Sequence, residues 1–202
     1  MKKKTIKGDR FYTGHLCRKR IIAALVLLTL AVFVSAYGKS TLSSSYGIYL
    51  LALGILFALP AAKFIVGVIV TLPSRPITDK QYSDINNALK DKESVKTYIN
   101  AVLTSRDHVM TAECIVINSV SCAVLVTRQR KNDVPVSEKS RKKNDQMADY
   151  IKSFLDDEIK KRMSDVKLVI YKDEKAFIAH CLRLENSKPQ KDFAEFINSV
   201  IV

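Results

Sequence analysis

One stretch limits this chain more than any other: residues 21–72, two apolar runs separated by a short polar break. The first run, IIAALVLLTLAVFVSAY at 21–37, carries no charge in 17 residues. As a helix it is roughly 26 Å long, close to the hydrocarbon thickness of a bilayer. The second run, 46–72, is longer and contains Pro60 and Lys63. Between them lies GKSTLSSS, too short and too polar to be a domain. Lipid offers no partner to unpaired backbone groups, so spanning segments must be helices or closed barrels. The expected arrangement is a transmembrane hairpin, with helices at about 21–37 and 46–70 and a short outer loop at 38–45.

Charge sets the expected orientation. Residues 1–20 hold Lys2, Lys3, Lys4, Lys7, Arg10, Arg18, Lys19 and Arg20 against a single acid, Asp9, whereas the middle loop has only Lys39. By the positive-inside rule the basic tail is cytoplasmic and the loop outside. The second helix returns the chain, so the linker at 73–78 and everything after it are expected in the cytoplasm, with Arg75 and Lys80 just past the exit. A cleaved signal peptide is the rival reading of the first run, because Val34-Ser35-Ala36 resembles a cleavage site; a 20-residue lead-in and 17 apolar residues are long for one. Lys63 falls near the cytoplasmic end of the second span, within snorkelling reach of the headgroups. Gly54, Ala58 and Ala62 repeat every four residues and invite close approach of the first helix through Ala24, Ala31 and Ser35.

The formal charge of +13 divides unevenly. Residues 1–73 contain ten Lys/Arg and one Asp, or +9; residues 74–202 contain 23 Lys/Arg and 19 Asp/Glu, or +4. The basicity therefore suits an anionic inner leaflet as partner, and leaves nucleic acid at most a weak, salt-sensitive one. The four cysteines, Cys17, Cys114, Cys122 and Cys181, form no C-x-x-C pair, and in a cytoplasmic domain they are expected to stay reduced. Cys17 lies four residues before the first helix, where a palmitoyl group could attach in a eukaryotic host.

Residues 79–202 are long enough for one domain with its own core. Thr78 with Gln81 reads as a capping box opening a helix that aligns Tyr82, Ile85 and Leu89. Val95, Tyr98, Ile99, Val102 and Leu103 share a face at helical spacing and predict a second helix or a continuation of the first. Residues 109–127 predict a β-hairpin around Asn118-Ser119, with Met110, Ala112, Cys114 and Val116 on one face of its first strand and Val120, Cys122, Val124 and Val126 on one face of its second. Both strands are nearly apolar on both faces, so the hairpin is expected to be central. Residues 128–143 read as a charged loop with seven basic and two acidic residues. Residues 144–163 predict an amphipathic helix through Met147, Tyr150, Ile151, Phe154, Leu155, Ile159 and Met163. Residues 166–171 and 175–184 read as a second strand pair around Lys172-Asp173-Glu174. Ser187 with Gln190 reads as a capping box for a last helix carrying Phe193, Phe196, Ile197, Val200 and Ile201. The fold class is thus a membrane α-helical hairpin plus an α+β domain, with about four strands in two hairpins and three or four packed helices.

Chemistry is harder to find. His15, His108 and His180 have no ligand spacing, and no glycine-rich phosphate loop, G-x-S-x-G or H-E-x-x-H motif is present. Residues 74–202 contain no glycine, which disfavours a loop bringing backbone against phosphate. A site from Cys114, Cys122 and His180 would need Cys114 opposite Cys122, which a loop of Ile117 to Ser119, with 116 opposite 120, provides, whereas a two-residue turn at Asn118-Ser119 puts Cys114 opposite Ala123; buried structural cysteines are the normal outcome. No catalytic, cofactor-binding or metal-ligating set is therefore expected. The candidate for an anionic ligand is the loop with Arg128, Arg130, Lys131, Arg141, Lys142 and Lys143.

One layout bears on enzymes. A strand ending in Val126-Thr127-Arg128-Gln129-Arg130-Lys131, a loop, a helix starting at Asp145-Gln146 with Tyr150 inside, and then VKLVIY resembles nuclease-related domains of the restriction-endonuclease type, some of them membrane tethered, over about half the chain. The resemblance implies a divalent metal held by an Asp on one central strand and an acid-x-Lys on the next. Neither that Asp nor that acid is read on the corresponding strands here. The function expected is a multi-pass membrane protein whose cytoplasmic domain binds a protein partner as an adaptor; the alternative is a membrane-tethered, degenerate nuclease-like domain.

Overall fold

The computed structural model describes residues 12–41, 45–71, 77–105, 108–127, 138–162 and 166–201, giving the backbone alone for 13, 45 and 138–144. Two compact units emerge, one made of Thr13–Pro73 and one that includes Ser74–Val202.

The first unit is a pair of long helices, α1 (Tyr12–Ser40) and α2 (Ser45–Thr71), and both are long and apolar enough to cross a membrane. At 29 and 27 residues they extend beyond the expected spans, α1 running back through the basic residues to Tyr12. Their buried positions are few and small: Ala24, Ala31 and Gly38 on α1, and Gly47, Gly54, Ala61 and the terminal Thr71 on α2. The alanines and glycines of each set repeat every seven residues. A methyl group at Gly47 would come within 2.5 Å of the Thr41 carbonyl oxygen, and one at Gly54 would overlap Ser35 Oγ. The four-residue stripe expected from the sequence is corrected here: of Gly54, Ala58 and Ala62, only Gly54 is buried, and Ala62 is exposed. Steps of seven drift about 20° around a helix, whereas steps of four drift about 40° each and leave the seam. At the basic end, Arg20 Nη1 donates to the Gly67 carbonyl at 2.9 Å. At the other end, Ser40 Oγ and Thr41 Oγ1 donate to the Tyr37 carbonyl, supplying donors that the helix end lacks. α2 continues through Pro60, and Lys63 is exposed on its surface.

The second unit is a four-stranded sheet between helices, in the order α3 (Asp79–Leu89), β1 (Lys96–Thr104), β2 (Val109–Ile117), β3 (Ser121–Leu125), α4 (Glu138–Arg162), β4 (Lys167–Tyr171), α5 (Glu174–Arg183) and α6 (Lys191–Val200). The capping box at Thr78 forms as expected, with Gln81 returning a side-chain bond to the Thr78 N–H at 3.1 Å. The strands lie in sequence order, β1-β2-β3 antiparallel and β4 parallel to β3.

The strand count agrees with expectation but the two-hairpin layout does not. Residues 96–104 form a strand where a helix was expected, and 174–183 a helix where a strand was expected. The first segment, Lys-Thr-Tyr-Ile-Asn-Ala-Val-Leu-Thr, is rich in β-branched and aromatic residues and too short for its periodicity to decide. The second is opened by Asp173, whose side chain accepts from the Ala176 N–H at 3.1 Å. Phe177, Cys181 and Leu184 then recur at helical spacing and are buried. With α5 a helix, β4 has no hairpin partner; it joins β3 in parallel through α4, the connection that parallel pairing requires.

Each sheet face has its own core. One is built with Ile151, Leu155 and Ile159 of α4 and Phe193, Phe196 and Ile197 of α6; the other with Ile77, Ile85 and Ala88 around α3 and Phe177 and Cys181 of α5. The hairpin turn sits one residue further on than expected: Ile117 pairs with Cys122, the Asn118 N–H donates to the Ser121 carbonyl at 3.0 Å, and Asn118 Oδ1 accepts from the N–H groups of Val120 and Ser121. The last helix has its apolar stripe in place, but its N-cap is Gln190 with no side-chain cap, and Ser187 instead bonds Ser119 Oγ at 2.7 Å.

Candidate functional site

In an open sheet with a strand-helix-strand crossover, ligands favour the crevice beyond the carboxyl ends of the parallel strands. Here that end is where β3 and β4 stop. Leu125 pairs with Tyr171, and the Val126 N–H donates to the Tyr171 carbonyl at 2.9 Å. Thr127 follows β3 and Lys172 follows β4. Lys172 Nζ meets Asp145 Oδ1 of α4 at 2.7 Å, and both side chains are about two-fifths exposed. Asp173, beside them, caps α5.

An acid reaches the same end from β2. Glu113 is half-buried, its Oε2 is shielded from solvent, and its Oε1 accepts from Thr127 Oγ1. Sequence reasoning missed it, because the expected strands were read as lacking any such acid. A lone Glu inside Met-Thr-Ala-Glu-Cys-Ile-Val is the signal that marks it, since ionisable groups seldom enter a central strand. Just before β2, His108 stacks on Tyr150 of α4 with ring centroids 4.1 Å apart.

The ladder also changes face here. Ile115 and Ile117 share a core with Met110 and Ala112, so the alternation along β2 slips by one between 112 and 115. β1 slips likewise, with Tyr98, Ala101 and Leu103 in that core. At the same level of β1 sits Asn100, the one non-glycine residue with positive φ among those described, at 53°. Asn tolerates this conformation better than most residues. The expected common face of Met110, Ala112, Cys114 and Val116 is thus split, Cys114 and Val116 lying in the opposite core.

The three cysteines of the second unit are buried and do not come together in one site. Cys114 pairs with Leu125 and sits on the opposite sheet face from Cys122. Burial pushes the thiols of Cys122 and Cys181 up to about 12 and raises that of Cys114 as well. Among the described residues, no three His, Cys, Asp or Glu side chains come together to hold a metal. On β3 and its end, Ser121 to Thr127, no acid-x-Lys stands beside Glu113. Of the expected anionic-ligand residues, Arg128, Arg130 and Lys131 lie outside the described residues; Arg141, Lys142 and Lys143 lie in the first turns of α4. The expected loop therefore ends by Glu138, where helix begins, and does not extend to 143.

Comparison of the chain with protein-family models, with curated proteins and with solved structures finds no match.

Proposed function

We propose that this chain is an integral membrane protein that crosses the bilayer twice, with both termini in the cytoplasm, and that its α+β domain is a binding module in a membrane assembly. The observation that carries the reading is the surface of the helix pair. Ile22, Val32, Phe33, Ile55, Leu56 and Ile69 are each more than half exposed, and the seam between the helices hides only small residues. Apolar surface of that extent is unfavourable in water and neutral in lipid. The chemistry at the two ends supports the same reading. Tyr37, Tyr46 and Tyr49 are exposed at the connecting-loop end and Arg18 and Lys19 at the other, an aromatic belt opposite a basic flank. Arg20 and Tyr37 are about 26 Å apart along α1, the depth of a hydrocarbon core.

The test has two arms. Alkaline carbonate should leave the chain in the membrane pellet, and reporters fused at either end should report the cytoplasm; release into the soluble fraction rejects the reading. Cross-linking in native membranes should then recover one stoichiometric protein partner.

A membrane-tethered nuclease-like domain is the second reading, and Glu113 on a central strand beside a parallel strand-helix-strand unit favours it. The absence of an acid-x-Lys on the neighbouring strand weighs against hydrolysis. Incubating the full chain in detergent with nucleic acid and Mg²⁺ or Mn²⁺ separates the two: cleavage abolished by Glu113→Gln establishes the enzyme, and no cleavage leaves the binding module. Any retention on nucleic acid or anionic vesicles should be weak, fall with salt and fall further on neutralising Arg128, Arg130 and Lys131.

A further inference from the structure

Five residues separate Thr71 from Ile77, and Ile77 is already buried in the core between the sheet and α3 and α5. Its N–H donates to Asn100 Oδ1 at 2.9 Å, a buried bond across 23 residues of sequence. Asn100 is itself 5% exposed, too buried to exchange that bond for water.

This is the same asparagine that holds a left-handed conformation inside β1. The β1–β2 ladder runs from Lys96 paired with Ile117 to Thr104 paired with Val109, and it skips the position where Asn100 falls opposite Glu113. Three features therefore coincide at one level of the sheet: a strained backbone, the tether of the arriving segment, and the acid at the end of the parallel strands. Strain of this kind persists only where its surroundings hold it. The Ile77 bond is such a hold, and extended backbone at residue 100 would carry the Asn100 side chain elsewhere and restore simple alternation on both strands.

We propose that Asn100 is a conformational relay. Docking of the Ile77 N–H on its side chain keeps β1 in the left-handed turn, and that turn sets the pose of Glu113 at the carboxyl ends of β3 and β4. Undocking Ile77 relaxes Asn100 and changes the Glu113 pose, so a pull on the segment after α2 is read at the sheet. The relay depends only on the second unit and stands whether or not the helix pair spans a bilayer.

The test is amide exchange of the full chain in micelles, measured residue by residue. Asn100→Gly keeps the positive φ and removes the acceptor; Ile77 exchange should accelerate about tenfold, as expected when a buried donor loses its partner. Asn100→Asp keeps both acceptor and turn, and should hold Ile77 within about twofold of wild type. Coupling is reciprocal, so Glu113→Gln, or Thr127→Val if that variant does not fold, should change Ile77 exchange by about threefold or more. An Ile77 rate in these last variants equal to wild type overturns the relay, whatever Asn100→Gly does. If Asn100→Gly does not fold, the Glu113 and Thr127 arm decides alone.

Discussion

At Gly54 the presence of one hydrogen instead of a methyl determines whether α1 and α2 can touch, because a Cβ there would overlap Ser35 Oγ. Gly54→Val should destabilise the helix pair by about 1–3 kcal/mol, the usual range for overpacking. Ala62→Val, on an exposed position, should be close to neutral. Unfolding by a denaturing detergent, followed by circular dichroism, distinguishes the two. His180 makes a second residue-scale prediction. Burial first, then the Lys92 and Lys167 ammonium groups, hold its imidazole pKa below the usual value near 6.5, and its Nε2 is buried. The unfolded chain therefore takes up the proton at higher pH than the folded one. His180 adds stability above about pH 6.5 that is lost as pH falls toward the lower folded pKa. Urea midpoints at pH 7.5, 6 and 5 should fall for wild type and fall less steeply for His180→Gln. The thiols give a third: with Cys114, Cys122 and Cys181 buried and raised, a maleimide at neutral pH should label Cys17 alone in the native chain and all four cysteines after denaturation.

At the scale of elements, one helix start was legible, that of α3, whereas the starts of α4, α5 and α6 were not. Thr78 and Gln81 announce α3 because a capping box acts within four residues. Asp173 does the same for α5, yet in sequence an Asp between two apolar runs reads equally well as a turn between strands. Its bond to the Ala176 N–H is what separates these outcomes, and Asp173→Ala should cost about 1 kcal/mol of domain stability, read from a denaturant midpoint. β1 was mistaken for the opposite reason. Val95, Tyr98, Ile99, Val102 and Leu103 line one face of an ideal helix, but the turn at Asn100 lets a strand bury Tyr98, Ala101 and Leu103 on one side. A face switch inside a strand defeats any argument from strict alternation. The same switch hid the setting of Glu113, and its lone charge in an apolar run was the only advance sign.

On the scale of the whole molecule, the two units have different physics. The second is a water-soluble pattern: two cores, one on each face of a sheet, with polar helix faces outward. The first has almost no core, and its stability in water would rest on a seam of alanines and glycines. Urea should therefore unfold the second unit cooperatively while the 29 and 27 residues of α1 and α2 retain their helical signal in micelles, a biphasic transition in which ellipticity and intrinsic tyrosine fluorescence do not coincide. Coincident single transitions would show that the two units are not energetically separate.

The sequence by itself determined what short-range chemistry determines. It specified two long apolar helices with a polar break, the capping box at Thr78, the stripes of α4 and α6, and the β2–β3 hairpin. Only the tertiary structure decided which apolar segment would be the fourth strand, which way β4 would run, and that Asn100 and Glu113, 13 residues apart, would fall opposite one another between two paired rungs. Period and capping act within a turn or two of chain, whereas strand order and register are set by partners many residues away, which no local pattern names.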